Sequence, residues 1–416
     1  MQGMRALSAL GVSSLVGVLL AVASCVGDDP GAVQPPTTTP DSGAADGSSD
    51  PTGDAGTDSG NDSGTMCTAP LADCDGNGSC ETSTATDANH CGACGHDCGG
   101  GSCVDGRCQP QVIAPNVDAP LSLAVNSSGV FWVRAETAEK CSKTGCVGAP
   151  TLLANSTLQA DIGPRQIFVN ETNAYWLGQT PAAGVDYYVH RCEVGGCGRS
   201  PSPIGDYTGT GQLVGNSKSL IWYDGTGALK GVRLPSGPID DLSAMYRESS
   251  HRFAVDETWL VFSNTDFSAN GAGGVWIGKI ENKNPTKLMD KGGAVAIVGG
   301  TTVLASADIN ATQSTVISCP VTGCGGTGTP LFATPEGTIL DLVADPNAVY
   351  WGVKASPGAA DGKIRMCKLP GCPGGPVTVA EGQANPHALA LDGEFAYWAN
   401  KGTGATNTGS IVRVRR

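Results

Sequence analysis

The chain has 416 residues and a formal net charge of −14, with 25 Lys plus Arg against 39 Asp plus Glu. Charged residues make up only 15% of it, while its 60 Gly stand at about twice the usual ~7% share. This composition argues against coiled coils and helix bundles, and against nucleic acid, whose phosphates need a basic face; it suits a turn-dense all-β chain.

Residues 1–24 hold one charge, Arg5, then an apolar stretch from Ala6 to Ala23. So short a stretch, ending in small residues, reads as a secretory signal and not as a membrane helix. Its end, Leu20-Ala21-Val22-Ala23-Ser24-Cys25, resembles the bacterial lipobox, in which the signal is cut before a Cys that is then acylated. The resemblance implies a palmitate-type lipid anchor at Cys25, and two or more acyl chains hold firmly at roughly 0.8 kcal/mol per buried methylene. Residue 26 is Val, not the Asp of inner-membrane retention. The expected location is therefore the outer membrane of the cell envelope, facing the periplasm or the surface. An ordinary signal peptide with an incidental Cys is the competing reading. Cysteine arithmetic favours the anchor: of 17 Cys, lipidation of Cys25 leaves sixteen for eight disulfides.

Residues 25–66 form a tether of Pro, Thr, Ser, Gly, Ala and Asp, with eight Asp and no Lys or Arg. It buries too little apolar surface to offset chain entropy, and as a flexible coil it spans roughly 35 Å. Residues 67–109 form a small module with Cys at 67, 74, 80, 91, 94, 98, 103 and 108. A module of this size needs staples, and in an exported chain these are disulfides whose pairing the sequence does not choose. A zinc site between His90 and Cys98 is an alternative that the compartment disfavours. Asp73-Cys74-Asp75-Gly76-Asn77-Gly78 matches the first half of a calcium loop, D-x-D-x-N-G, with Glu81 as the nearest further acid. Thr84 stands where the bidentate carboxylate belongs, so an Asx-rich turn competes with calcium at Asp73, Asp75, Asn77 and Glu81. No other cofactor is expected. Asn89-His90-Cys91-Gly92-Ala93-Cys94-Gly95 and Cys103-Val104-Asp105-Gly106-Arg107-Cys108 resemble the stigma-specific cysteine-rich family. The module as a whole is similar to one found in myxobacterial (deltaproteobacterial) envelope lipoproteins.

From 110 to 416 a pattern repeats: an apolar strand, a turn with Asn, Asp or Gly, then an aromatic-rich strand. Its second strands carry Phe131-Trp132, Tyr175-Trp176, Ile221-Trp222, Val261-Phe262, Val303-Leu304, Tyr350-Trp351 and Tyr397-Trp398. The second members are 44, 46, 40, 42, 47 and 47 residues apart, the period of a four-stranded propeller blade. The seventh unit ends after its third strand, Ser410–Val414, whereas Pro110–Pro115 reads as an orphan fourth strand. Pairing the two would close a seven-bladed β-propeller and remove its edges; six or eight blades are the alternatives. Asp345–Trp351 and Asp392–Asn400 resemble YWTD and NHL propellers, and more closely a myxobacterial repeat reading D-x-x-x-V-Y-W-x-N. The aromatic pairs are expected in the core and not on a ligand platform.

Four units carry C-x4-C at the turn between third and fourth strands. The predicted disulfides are Cys141–Cys146, Cys192–Cys197, Cys319–Cys324 and Cys367–Cys372, because partners across such a hairpin lie about 4.5–5.5 Å apart at Cα. Longer connections join second and third strands, including 178–186, 264–274, 305–314, 354–362 and 400–409, on one face around the central channel. Long loops on a rigid scaffold are where binding resides. Candidate binding residues there are Arg134, Asp186, Asp266, Phe267, Asp308, Lys354 and Lys401, each with ordinary solvation as its bland reading. No G-x-S-x-G, H-E-x-x-H or P-loop motif occurs, and no catalytic residue is assigned. The expected function is a lipid-anchored envelope propeller that binds a protein or glycan without chemistry. One alternative is a calcium-dependent hydrolase or lyase at the channel mouth, with Asn126, Asn170, Asn216, Asp256, Asp345 and Asp392 ringing the channel. The other is a structural envelope scaffold.

Overall fold

The computed structural model describes residues 67–134, 137–155, 166–179, 187–197, 201–207, 212–223, 229–235, 237–242, 252–264, 274–280, 284–310 and 313–416. The signal, Cys25 and the tether lie outside the described residues, as do Asp186, Asp266 and Phe267. Every regular element described is a strand.

Seven four-stranded antiparallel sheets follow one another along the chain. Blade 1 is Ser122–Asn126, Gly129–Val133, Thr137–Cys141 and Thr151–Asn155; blade 2 begins at Ile167, blade 3 at Leu213, blade 4 at Arg252, blade 5 at Val295 and blade 6 at Ile339. Blade 7 takes Pro386–Leu391, Phe395–Asn400 and Ser410–Arg415 from the C-terminal end and Gln111–Pro115 from before blade 1. Val412 lies opposite Val112, and Ser410 opposite Pro115. The ring is closed by the strand the repeat count left over, which satisfies an edge that would otherwise expose unpaired amides.

The aromatic pairs explain why the sheets stack as blades. Successive residues on a strand point to opposite faces, so each pair gives one side chain to each neighbouring blade. Trp132 packs in a cluster with Tyr397 and Phe395 of blade 7, whereas Phe131 joins Ile167 and Trp176 of blade 2. The same division holds for Tyr350 and Trp351, which join blades 7 and 5 respectively. Trp132, Trp176, Trp222, Trp351 and Trp398 are all fully buried, each contributing on the order of 2–3 kcal/mol. Blade 5 departs from this: Val303 faces blade 4 and Leu304 faces blade 6, the reverse of the other pairs. The pair there is shifted by one residue relative to the sequence expectation, because two aliphatic side chains give no cue to face.

The stretch 305–314, expected as a loop, is instead a continuation of the sheet. Thr302–Asn310 and Gln313–Pro320 pair along their length, with Asp308 opposite Ser314. Asp308 therefore belongs to a strand and not to a binding loop. The alternating Leu304-Ala305-Ser306-Ala307 run buries every member against neighbouring blades, which keeps the hairpin extended.

The turns between first and second strands carry the recurring Asn and Asp. Asn126, Asn170, Asn216, Asp256, Asp345 and Asp392 each accept turn N–H groups two or three residues ahead. They lie at the end of the inner strands and do not ring the channel mouth. Two of them also stitch adjacent blades together, since Asn126 Nδ2 donates to Asn170 O at 2.7 Å and Asn216 Nδ2 to Asp256 O at 2.6 Å.

In the module the disulfides are Cys67–Cys80, Cys74–Cys94, Cys91–Cys103 and Cys98–Cys108. These bonds occupy every sulfur between His90 and Cys98 and leave no thiolate for zinc. The module sits on the turn face, against blades 6 and 7. Cys91, Cys98, Cys103 and Cys108 share a buried cluster with Tyr350, Ala396 and Val414. Gly99 has φ +62°, and a Cβ there would fall 2.5 Å from the Phe395 ring, so only glycine permits this approach. Arg413 stacks 4.3 Å above the same ring and donates to Gly99 O, while His96 Nε2 lies 2.9 Å from Arg416 O.

Candidate functional site

The inner strands of all seven blades line a channel with a volume of about 750 Å³. One end is the turn face just described. The other, where the inner strands begin, lies on the same face as the connections between second and third strands. There the repeat places a polar residue at the entry of the inner strand, just before its apolar run: Ser122, Gln166, Gln212, Arg252 and Asp341. At three of these positions the side chain accepts the main-chain N–H of the next blade. Ile167 N donates to Ser122 Oγ, Leu213 N to Gln166 Oε1, and Leu389 N to Asp341 Oδ2 at 2.7 Å. Gln166 Nε2 also donates to Gln212 Oε1 at 2.7 Å. Blades 1 to 3 thus present a neutral, internally bonded half of the mouth.

The other half is charged. Arg252 of blade 4 has no acceptor to offer, and its guanidinium reaches past blade 5 to donate to Leu340 O of blade 6 at 3.3 Å. His387 and Lys401 of blade 7 line the same mouth. His387 Nδ1 lies 3.3 Å from Asn385 O, and the Pro120 carbonyl also interacts with the buried ring. Burial pushes the imidazole below its ordinary value, with the Asn385 carbonyl, the Asp341 carboxylate, the Lys401 ammonium and the Pro120 carbonyl as lesser influences. The ring is neutral at neutral pH. Asp341, whose second oxygen accepts Leu342 N at 2.9 Å, is committed to main-chain amides.

The residues expected to bind divide unequally. Lys401 stands at the channel mouth, and exposed Lys354 lies on the neighbouring blade 6 loop, closed by Ser356 and Asp361. Arg134 is committed instead to structure: Glu139 is buried, takes the Arg134 guanidinium and Thr137 Oγ1, and accepts Trp132 Nε1 at 2.8 Å. Arg252, Asp341 and His387 were missed. For Arg252 and Asp341 the signal was the polar residue at a fixed place in the repeat, which in isolation resembles a solvated strand entry; in blade 7 Ala388 holds that place and His387 stands one residue before it.

Away from the channel, Asp73, Asp75 and Glu81 each bring a carboxylate oxygen within 4.8 Å of the others. The N–H of Gly78, opposed by desolvation and aided by the N–H of Gly76, the Asp75 side chain and the N–H of Asn77, holds the Asp73 carboxyl below the ordinary range. Asn77 Oδ1 accepts Ser79 N at 2.8 Å, and Thr84 Oγ1 donates to Pro70 O at 2.8 Å. This is the bonding of an Asx turn. The four C-x4-C pairs are disulfides with Cα separations of 5.0, 5.4, 5.4 and 5.1 Å.

No family model matches the chain, and no curated protein does. Solved propellers are similar in fold. The β-propeller domain of the Trilobed protease from Pyrococcus furiosus is 10% identical with a TM-score of 0.50, covering 73% of this chain and 95% of that one. Oligogalacturonate lyase from Vibrio parahaemolyticus is 9% identical with a TM-score of 0.50, covering 73% and 91%. The PQQ-bound aldose sugar dehydrogenase from Streptomyces coelicolor is 12% identical with a TM-score of 0.46, covering 73% and 96%. Propellers similar to this one thus include enzymes, and the likeness is one of fold alone.

Proposed function

We propose that this protein is anchored in the cell envelope by lipid on Cys25 and binds a protein or glycan at the loop face of its propeller, without chemistry of its own. The observation that carries the binding face is the channel mouth, whose lining includes Arg252, His387 and Lys401, while the Cys-rich module occupies the opposite, turn face. For the anchor, all sixteen Cys of the described residues lie in disulfides, so the one left of 17 is Cys25.

The chemistry at the mouth supports binding over turnover. Among the described residues no hydroxyl, thiol or carboxylate hydrogen-bonds His387 Nε2, and both Asp341 oxygens are engaged by amides. Among the described residues no nucleophile is thus paired with a base at the mouth. A calcium-dependent hydrolase is further disfavoured because the six recurring Asn and Asp serve turns at the other end of the channel.

The test is capture from native envelope by the full-length protein. Specific recovery that falls in Lys354→Glu and Lys401→Glu chains supports the reading. Turnover of an ester or glycan that disappears in His387→Gln would overturn it in favour of an enzyme.

A further inference from the structure

The disulfides differ in how open they are. Each C-x4-C hairpin buries at least one of its partners, Cys141, Cys192, Cys319 or Cys367. In the module, Cys91–Cys103 and Cys98–Cys108 lie in the buried cluster against blades 6 and 7, and Cys67 and Cys80 are half-buried. Cys94 is the one exposed half-cystine among the described residues, and it is bonded to half-buried Cys74. It stands in an exposed turn, Gly92-Ala93-Cys94-Gly95. A Cβ built at Gly95 would meet no atom within 4 Å, so the space beside Cys94 is open.

This bond also has a histidine beside it. A ring nitrogen of His90 and the sulfurs of Cys74 and Cys94 all lie within 4.8 Å of one another, a separation that one water spans. No other disulfide among the described residues has an imidazole so placed. Gly95 N donates to His90 Nδ1 at 3.0 Å, which leaves Nε2 as the nitrogen with a proton to offer. Asp73 and Asp75 flank Cys74 in the chain. Their carboxylates turn an incoming thiolate away from Cys74 and towards Cys94, and they disfavour a bare negative charge on the departing Cys74 sulfur. A hydrogen-bond donor at that sulfur offsets the second effect.

We infer that Cys74–Cys94 is a site of thiol–disulfide exchange, attacked at Cys94 by an external thiolate while His90 donates a hydrogen bond to the charge that develops on Cys74. A new S–S bond forms between the thiolate and Cys94 Sγ as the bond to Cys74 breaks. The electron pair passes to Cys74 Sγ, which then takes a proton from water. A second equivalent of thiolate attacks the outer sulfur of the mixed disulfide, releasing the oxidised thiol pair and leaving Cys74 and Cys94 as a dithiol. Exposed disulfides are the ones that exchange, and the attacking thiolate belongs to a small thiol or to a protein C-x-x-C dithiol. Cys91–Cys103 and Cys98–Cys108 keep the module seated, so opening Cys74–Cys94 frees the 73–78 turn without dissolving that seat. The inference makes the module a modification site and is independent of the loop-face reading, so either can fail alone.

The test treats the full-length protein, in separate arms, with glutathione and with a C-x-x-C protein dithiol. Samples are quenched with an alkylating agent over time and mapped by peptide mass spectrometry. With glutathione, Cys94 should carry the mixed disulfide and Cys74 the alkyl group, about tenfold sooner than any other pair opens. With the dithiol, Cys74 and Cys94 should be the first pair alkylated, and the faster arm identifies the source of the thiolate. His90→Phe should slow opening about tenfold, the loss of one hydrogen bond to a charged group. A variant that merely loosened the turn would open faster, so slowing reports the donor and not the fold. Another disulfide opening first in both arms, glutathione on Cys74, or an unslowed His90→Phe chain would overturn the inference.

Discussion

Val112, at the start of the folded ring, sits opposite Val412, three residues short of the end of the last strand. This pairing makes one blade from both ends of the chain. The neighbour of Val112, Ile113, is buried with Phe395, Tyr397 and Trp132, whereas Val112 itself is 58% exposed. Ile113→Ala should therefore destabilise the whole ring by about 2–4 kcal/mol, and Val112→Ala by no more than about 0.5 kcal/mol. Denaturant melts of the two variants compare them directly. Similar, small effects would mean that the N-terminal strand does not hold the ring shut.

Asn126 and Asn216 are read as stitches between blades and not only as turn residues. Changing either to Asp keeps the turn acceptor but sets a carboxylate against the next blade's carbonyl. Each substitution should cost about 1–3 kcal/mol. Asp256→Asn, at the same repeat position, leaves the turn bonds to Thr258 and Trp259 in place and should be nearly neutral. Thermal unfolding of the three variants separates these cases, and equal losses at all three would contradict the stitch.

Much of this architecture was legible in the sequence because the repeat encodes it twice, in the aromatic pairs and in the turn Asn and Asp. The closing strand was legible because one unit lacked a fourth strand while another strand had no unit. Blade 5 was misread by one residue since Val303 and Leu304 fill either face equally well. Asp308 was misplaced because a small-residue strand such as Ala305-Ser306-Ala307 resembles a loop. The mouth was half legible: Lys401 stood in a long loop, where exposure is expected. Arg252 and His387 stand at the entry of inner strands, and only the ring reveals that both line one channel.

His190 of blade 2 gives a pH signature. It is 3% exposed, stacks 5.9 Å from Trp176, and burial pushes its imidazole down from 6.5 to about 4. The unfolded chain takes up the proton near pH 6.5 and the folded chain only near 4. The stability from a neutral His190 is thus present above pH 6.5 and is lost as pH falls through that window, by on the order of 3 kcal/mol at the acid end. Melting temperature should decline from pH 6.5 towards 4, and His190→Phe should flatten part of the decline. An unchanged slope in the variant would assign the pH dependence elsewhere.

Arg134 is expected to matter for folding and not for partners. Arg134→Ala leaves Glu139 buried with Trp132 Nε1 and Thr137 but without its cation, a loss of about 1–3 kcal/mol. Envelope capture per folded molecule should be unchanged. A variant of full stability that fails to capture a partner would return Arg134 to the binding face.

The central claim is that partners meet the loop face and not the turn face. A photoreactive amino acid placed at Lys354, and in a separate chain at exposed Val147 in the turn after the third strand of blade 1, measures this in intact cells. The account predicts a discrete crosslinked species from position 354 and none from 147. Crosslinks from 147 alone would contradict it.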